Sequence, residues 1–426
     1  MLLALWSPVV ASGVPVLALH TLRAAPEWLR DGWFWAALQV VQLSGPALIK
    51  GVQWACTRKD LFPEDFCRRF SKLQSSNRAH PWRATAETLD AELGASWREH
   101  LRLDTSPIGS GCVAQVYRGC LLQGPEVGLP VAVKVIHPYV KLAIQADVEA
   151  MRFVARALEA LPRVGWLSLV ESVDEFAQLM QCQLDMRGEA SNLLRFRQNF
   201  DGLNWVGFPA PVQPWVSELV LVETFEEGAP LSEFIEAQDA YTRKIARIGL
   251  ETFLKMVFLD NFVHGDLHPG NMLVGNRKDG KGPKLVLLDA GIVGELSPQD
   301  MRNFVDLFDA VGRGDGRLAG QLIIERAREQ RCRDPGAFCL EMEELVSLAR
   351  ADGLRLSKVG VGKLLASVLS LCCRHEVKLE SHFASVVLSI GILEGVGRSL
   401  DPEVNILAAA LPVLVRAKMQ LAMDKV

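Results

Sequence analysis

The sequence has 426 residues and a formal net charge of −4, and 49% of its residues are apolar. This length allows a domain of about 250 to 300 residues with further segments around it, and the slightly acidic balance excludes nucleic acid as an expected partner. The nine cysteines include no Cys-x-x-Cys pair, so they indicate neither a disulfide framework nor a zinc site.

The first segment, residues 1–43, is apolar and rich in tryptophan. Residues 1–22 contain no Lys, Arg, Asp or Glu, and as a helix they would extend about 33 Å, enough to cross a hydrocarbon core. Pro8, Gly13 and Pro15 weaken such a helix. Aromatic residues follow at a density typical of a membrane interface: Trp28, Trp33, Phe34 and Trp35. The segment predicts membrane contact, and the competing interpretation is a buried helical hairpin.

Three further segments follow in chain order. Residues 44–103 show helical spacing of apolar positions. Residues 104–225 begin with a glycine-containing turn and a β-branched run, and they continue with two helical stretches, about 139–160 and 168–199. Residues 226–426 contain a polar loop between a helix and a strand, and then almost only helices. This order predicts an α+β fold in which a small mixed lobe precedes a large helical lobe.

The strongest chemical signal is the polar loop between Phe262 and Val274. Asp266 and Asn271 are five residues apart, which is the spacing of a kinase catalytic loop. In such a loop the aspartate orients the acceptor hydroxyl and accepts its proton, and the asparagine binds Mg²⁺. His264 takes the place of the histidine that braces these loops.

A second motif follows the apolar run 285–288, which predicts a buried strand ending in Asp289, Ala290 and Gly291. Asp289 is the expected main Mg²⁺ ligand, and Ala290 replaces the usual phenylalanine. Only five residues separate Gly291 from the next predicted helix start at Ser297. Protein kinases carry an activation segment at this place, so the short connection favours a small-molecule or lipid acceptor, or ATP hydrolysis.

Two features of the small lobe predict nucleotide contacts. The turn 109–116 contains small residues that let backbone N–H groups approach phosphate, and the run 131–134 has the form of a kinase strand carrying a phosphate-binding lysine. The predicted nucleotide-binding residues are Gly109, Ser110, Gly111, Val116, Ala132 and Lys134. A buried lysine needs a carboxylate partner, and spacing alone leaves both Glu149 and Glu189 open.

The chain resembles the AarF-domain (UbiB-type) atypical kinases, in particular their animal mitochondrial members, from about Ser44 to the C-terminal helix. The matching strings are Gly45–Lys50, Gln53–Arg58, Asp60–Pro63, Gly109–Val116, His264–Asn271 and Leu288–Gly291. The resemblance implies a two-lobed protein-kinase-like fold with a helical N-terminal extension, binding ATP or ADP with Mg²⁺. It also implies that Glu189, rather than Glu149, pairs with Lys134. The implied catalytic residues are Asp266, Lys134 and Glu189, and the implied metal ligands are Asn271 and Asp289.

In this family a K-x-G-Q motif of the extension covers the active site and excludes protein substrates. Here the motif reads Lys50-Gly51-Val52-Gln53, with the glycine displaced, and the accompanying E-x-D motif reads Gln183-Leu184-Asp185. A neutral Gln183 can hydrogen-bond Lys50 but cannot form an ion pair with it. The resemblance implies regulatory roles for Lys50, Gln53, Gln183 and Asp185.

The resemblance further implies a place at the mitochondrial inner membrane and support of coenzyme Q biosynthesis. It implies a lipid or isoprenoid ligand and a lipid-biosynthetic protein complex as partners. Three functions compete. The first is an active atypical kinase or ATPase, and the second is a nucleotide-gated scaffold, suggested by the altered Lys50 and Gln183 motifs. The third is a Ser/Thr protein kinase, against which the short segment after Gly291 argues.

Overall fold

The structure of the protein is a computed structural model that describes residues 27–42, 45–57, 69–70, 79–160, 168–235, 237, 239–277, 279–280, 282–327, 329–351, 361–379, 381–404 and 406–423. The uncharged residues 1–22, on which the membrane-anchor prediction depends, lie outside the described residues. The chain divides into two compact units, Met1–Arg187 with Val212–Val222 and Gly188–Pro211 with Glu223–Val426. The four-segment division predicted from the sequence stays a prediction.

The described residues form fourteen α-helices, numbered in chain order: α1 Glu27–Gln42, α2 Pro46–Thr57, α3 Trp82–Leu93, α4 Trp97–His100, α5 Val140–Glu159, α6 Leu169–Cys182, α7 Met186–Asn199, α8 Ala240–Phe258, α9 Pro298–Arg313, α10 Gly316–Glu325, α11 Pro335–Ala351, α12 Val361–Arg374, α13 Ser381–Leu400 and α14 Ile406–Met423.

Fourteen strands accompany them in the same residues: β1 Leu101–Leu103, β2 Gly109–Ser110, β3 Ala114–Leu121, β4 Pro130–Ile136, β5 Val206–Gly207, β6 Pro211–Val216, β7 Val220–Thr224, β8 Ala229–Pro230, β9 Val263–His264, β10 Met272–Asn276, β11 Pro283–Leu287, β12 Val293–Gly294, β13 Glu329–Gln330 and β14 Val377–Lys378.

The first unit contains a sheet in the order β1-β3-β4-β7-β6, with β2 paired to β3. Because side chains alternate along a strand, Val131, Val133 and Val135 point to one face of β4 and pack into a core with Leu89 and Tyr117. The residues of β4 after Pro130 are buried on both faces, as the sequence predicts.

The helix α2 contains the displaced glycine of the K-x-G-Q-like motif, Gly51. It runs without interruption from Pro46 to Thr57, and Gly51 is buried. A Cβ atom at Gly51 would lie 2.8 Å from Met151 Cε and 3.3 Å from Phe176 Cε1. The glycine therefore permits close packing of α2 on α5 and α6 rather than a turn.

The helical stretch predicted at about 168–199 forms two helices, because the chain leaves helical geometry between α6 and α7. The backbone N–H of Met186 donates to the Glu218 carbonyl at 2.9 Å instead of continuing the helix. The Asp185 carboxylate accepts the Arg187 backbone N–H at 3.0 Å, as a residue preceding a helix does. The break falls within the Gln183–Asp185 motif.

The second unit is mainly helical around the sheet β5-β11-β10-β8 and the short pair β9 and β12. Its core includes Phe253, Phe304 and Phe338. The predicted helix start at Ser297 is confirmed, since its hydroxyl accepts the Asp300 backbone N–H ahead of α9. Of the helices that the structure describes, none has the length and apolar character needed to cross a bilayer.

Candidate functional site

In the second unit, the hairpin of β10 and β11 brings Asn271 and Asp289 together. Met272 pairs with Leu287 in the antiparallel register, and the Leu288 N–H donates to the Asn271 carbonyl at 3.0 Å. Asn271 lies just before β10 and Asp289 shortly after β11, so both lie at the same end of the hairpin. The sequence placed these residues in separate motifs, and the hairpin explains why they belong to one site.

His264 connects Asp266 to Asp289 through their backbones. Its Nε2 bonds to the Asp289 carbonyl, and its Nδ1 accepts the Asp266 backbone N–H at 3.1 Å. Because a carbonyl oxygen only accepts, Nε2 carries the proton and the ring is neutral. Burial lowers the pKa of His264, which favours the same neutral form. The His264 ring therefore fixes the backbones of Asp266, the predicted catalytic residue, and Asp289, the predicted metal ligand, relative to each other.

The polar groups of this half suit a magnesium nucleotide. The Asn271 amide nitrogen donates to the Asp266 carbonyl at 3.3 Å, and Asp289 Oδ1 accepts the Gly291 N–H at 2.8 Å. Among the described residues, no group of three His, Cys, Asp or Glu side chains is placed to hold a metal ion. One amide and one carboxylate are what Mg²⁺ uses when the phosphates of a nucleotide complete its shell.

Helix α7 holds the middle residue of the Asp-Ala-Gly motif. Asn192 Nδ2 donates to the Ala290 carbonyl at 2.8 Å, and the Ala290 N–H lies 3.5 Å from Glu189 Oε1. Arg195 forms two bonds of 2.9 Å to the Glu295 carboxylate and lies 4.0 Å from the centre of the Phe262 ring. The backbone of Ala290 is therefore held on both sides by buried or half-buried groups of one helix.

The segment after Gly291 returns directly to the catalytic loop. Val293 pairs with His264 in the two-stranded sheet of β9 and β12, and the Gly265 N–H donates to the Ile292 carbonyl at 2.9 Å. A Cβ atom at Gly265 would lie 2.6 Å from Ile292 Cγ2, so the approach needs glycine. Two of the five residues between Gly291 and Ser297 thus form a short strand against β9, next to the catalytic loop.

In the first unit, three of the predicted nucleotide-binding residues lie in one row across three strands. Gly109 of β2 pairs with Val116 of β3, and Val116 pairs with Lys134 of β4. Lys134 is 9% exposed. The buried hydroxyl of Ser110 makes no hydrogen bond within the described part of the chain, which fits an additional acceptor such as a phosphate oxygen. The pair of Lys134 with Glu189 stays a prediction.

The predicted contact between the two altered family motifs is present within the first unit. Lys50 Nζ donates to Gln183 Oε1 at 2.6 Å. Asp185 instead pairs with Arg187 at 2.7 and 2.8 Å, and this contact holds the pKa of the carboxyl below its usual value. The Gln53 side chain lies outside the described part, and the regulatory roles stay predictions.

Sequence reasoning missed several polar residues. Asn192 and Arg195 follow Glu189 at intervals of three, which places all three on one side of α7, and this spacing was a usable signal. His80, Thr85, Gln115, Tyr117 and His137 form a hydrogen-bonded group beside the glycine-containing turn. Their separation in the chain hides that group from motif spacing.

A mixed lobe with a glycine turn and a buried lysine, followed by a helical unit with an Asp-x-x-x-x-Asn loop and an Asp-x-Gly motif, defines a kinase-like fold. A family model described as the ABC1 atypical kinase-like domain matches residues 72–322, and one described as the UbiB helical domain matches residues 348–405. The first match covers more than half of the sequence. The chain belongs to the ABC1/UbiB atypical kinase family.

Individual relatives agree with this assignment. A mitochondrial ABC1 family protein of Saccharomyces cerevisiae is 33% identical over 90% of this chain and 68% of its own length. The Aliivibrio fischeri protein named "Probable protein kinase UbiB" is 27% identical over 94% of this chain and 75% of its own. The chain spans about two thirds of the length of the first curated relatives that it matches.

A solved structure supports the fold. The complex of Rv3197 with erythromycin from Mycobacterium tuberculosis superposes with a TM-score of 0.50 at 18% identity. The match covers 88% of this chain and 97% of the other. At this identity the likeness concerns the fold alone.

Proposed function

We propose that the protein is a Mg²⁺-dependent atypical kinase or ATPase that acts on a small-molecule or lipid acceptor. The observation that carries the proposal is the link made by His264, which fixes Asp266 and Asp289 around one neutral ring. A bound Mg²⁺ would neutralise charge on the transferred phosphoryl group. Asn271 and Asp289 would hold it, and Asp266 would orient the acceptor and accept its proton.

The first unit would hold the phosphates in this proposal. Lys134 is buried on β4, where its side chain, when charged, requires an anionic neighbour. The glycine turn at 109–111 places backbone N–H groups and the unbonded Ser110 hydroxyl beside the row that contains Lys134. Glu189 is proposed to pair with Lys134 in the nucleotide-bound protein, because both side chains are buried and of opposite charge.

The acceptor class follows from the segment after Gly291. The five residues after Gly291 already contain β12, which pairs with β9. This segment therefore does not form an extended platform for a peptide. An acceptor of the size of a lipid headgroup, or water, is therefore favoured over a protein. The mitochondrial relative in yeast supports action in that organelle, and the family supports a role in coenzyme Q metabolism.

Membrane contact is proposed through α1. Trp28 and Trp35 are 73% and 66% exposed and lie two helical turns apart, so they share one face. Tryptophan prefers the bilayer interface, and the uncharged residues 1–22 precede this helix. Flotation with cardiolipin-containing vesicles should weaken when both tryptophans become serine. The matched variant Phe153→Ser, at another exposed aromatic of the same unit, should float like wild type.

The catalytic proposal is tested with the full chain and Mg-ATP. Asp289→Asn should reduce ATP turnover about a hundredfold or more, because it removes the one negatively charged ligand that the proposed Mg²⁺ site has from the protein. Asp306→Asn, which removes an exposed carboxylate paired with Arg326, is the matched control and should keep wild-type turnover. Equal turnover of wild type and Asp289→Asn would reject the enzyme.

One observation favours a nucleotide-gated scaffold as a second candidate. Lys50 Nζ donates to the neutral Gln183 at 2.6 Å, where the family motif has a glutamate, so this contact differs from the one that covers the site in the family. A scaffold would show a nucleotide-dependent rise in melting temperature with background turnover. Turnover above that of Asp289→Asn would exclude it.

A further inference from the structure

A hydrogen-bonded chain in the first unit ends on the glycine-containing turn. His137 follows β4 directly, and its backbone N–H donates to the Val113 carbonyl at 2.8 Å. Its ring Nε2 lies 3.0 Å from the Gly111 carbonyl oxygen. One residue therefore holds both sides of the turn between β2 and β3, through its backbone and through its side chain.

The direction of each hydrogen bond in this chain can be deduced. The Gly111 carbonyl can only accept, so His137 Nε2 carries the proton and its Nδ1 is an acceptor. His80 Nδ1, 2.7 Å away, must then donate, which leaves His80 Nε2 as an acceptor. Thr85 Oγ1 lies 2.8 Å from that nitrogen and supplies the proton. Burial lowers the pKa of both rings, consistent with two neutral histidines.

The other end of the chain is equally determined. The Tyr117 hydroxyl lies 2.6 Å from Thr85 Oγ1 and donates to it, because the Thr85 proton is already used. Gln115 Nε2 donates to the Tyr117 oxygen, and Gln115 Oε1 accepts the His80 backbone N–H at 3.0 Å. Gln115 and Tyr117 are completely buried on β3, so this end is rigid. A network in which every partner is fixed specifies one arrangement.

We propose that His137 is a positioning residue for the nucleotide, and that Tyr117, Thr85 and His80 set the tautomer that lets it hold Gly111. This inference rests on the proposed nucleotide binding. If one peptide unit of the turn rotated by half a turn, a carbonyl, which repels phosphate, would point where an N–H, which attracts it, had pointed. Fixing the Gly111 carbonyl fixes the orientation of the next N–H. His137 contributes no chemistry to the phosphoryl transfer.

Two substitutions separate the donor of His137 from its acceptor. His137→Gln places an amide N–H near the position of Nε2 and retains the bond to Gly111. His137→Asn places a carbonyl near the position of Nδ1, so it retains the bond from His80 and loses the one to Gly111. The full-length chain is titrated with fluorescent Mg-ADP. We expect His137→Asn to raise Kd about tenfold, and His137→Gln to change it less than about threefold.

Similar melting temperatures of the two variants would show that the difference in Kd is not a general loss of stability. His100→Asn, which removes a histidine near the surface of the same unit, should bind like wild type. Wild-type affinity in His137→Asn, or equal weakening in both His137 variants, would overturn the inference.

Hydrogen exchange keeps the inference testable apart from the proposed function. If the wild type binds no nucleotide, the proposed function fails, but exchange of peptides covering 109–116 still reports the turn. We expect faster exchange in His137→Asn and wild-type exchange in His137→Gln. Selective ¹⁵N-histidine spectra should show His137 protonated on Nε2 and His80 on Nδ1. Equal exchange, or the reversed tautomers, would overturn the inference.

Discussion

Each of the two units holds its glycine-containing loop with a neutral histidine, but the two histidines work in different surroundings. His264 is 1% exposed and bonds to two backbone groups of its own unit. His137 is only half-buried, and its tautomer depends on a second histidine. The loop held by His264 is therefore fixed by the core, whereas the turn held by His137 is fixed by a polar network that single substitutions and pH can alter.

The largest effect should come from the buried histidine. His264→Phe keeps an aromatic ring beside Phe196 but removes the bonds that His264 makes to the Asp266 N–H and the Asp289 carbonyl. We expect a loss of about 3 kcal/mol of unfolding free energy in urea and loss of ATP turnover. His137→Phe should cost less than about half of that. Equal losses of unfolding free energy in the two variants would show that His264 and His137 do not differ in how firmly they hold their loops.

The next effect tests how tightly the buried brace is enclosed. Gly265→Ala places a methyl group 2.6 Å from Ile292 Cγ2, where β9 and β12 pair. We expect a loss of about 1 to 3 kcal/mol from overpacking, measured by urea unfolding. Gly249→Ala is the control, since the nearest atom to its added methyl group outside its own stretch of helix would be Leu285 Cδ2 at 3.9 Å. A harmless Gly265→Ala would mean that the strand pair is not closely packed.

A third test uses pH, because two buried groups of the first unit respond in opposite directions. Burial lowers the pKa of His80 to about 4, so its contribution to stability is present above 6.5 and lost as the pH falls through 4. Burial raises the pKa of Asp147 to about 6, despite N–H donors from Ala47 and Leu48. Its contribution is present below 3.8 and lost as the pH rises through 6.

The two groups therefore offset each other between pH 6.5 and 4. Asp147→Asn should make the acid loss of stability steeper by about 1 to 2 kcal/mol over this range, and His80→Gln should make it shallower. Urea midpoints at half-unit pH steps measure both slopes. Parallel curves for the two variants would contradict the assigned protonation states.

The smallest effect should come from the exposed contact of α7. Arg195→Lys removes the bidentate hydrogen bond to Glu295. The side chains of Arg195 and Glu295 are both partly exposed. Such pairs contribute little in water, so we expect a loss below about 1 kcal/mol and a small fall in melting temperature. A loss above about 2 kcal/mol would mean that the loop after Gly291 depends on this ion pair as much as on His264.

The sequence was sufficient to predict the structural elements that depend on local spacing. The Asp266 and Asn271 loop, the strand before Asp289, the buried Lys134 strand and the Ser297 helix start all appear in the structure as expected. Spacing could not show the break at Gln183–Asp185, because it depends on a backbone bond from Met186 to Glu218, far along the chain.

The polar network on His137 was hidden for the same reason. Its members come from helix α3 and the residues just before it, from strand β3 and from the end of β4, and no local pattern links His80 to His137. The role of Gly51 was also inaccessible, because the side chains that require it belong to α5 and α6. Local periodicity predicts which elements form, whereas side chains brought together by the tertiary fold decide what those elements bind.

The small residue at the centre of the Asp-Ala-Gly motif has a consequence for inhibitor chemistry. In protein kinases the packing of the aromatic ring in this tripeptide sets the active and inactive states, so a ring that moves leaves a space that a ligand can fill. Ala290 offers only a methyl group, is 1% exposed, and has its carbonyl bound by Asn192. Compounds that bind in the space left by such a ring should therefore show no selectivity for this protein. Selective compounds would have to bind at the glycine turn instead.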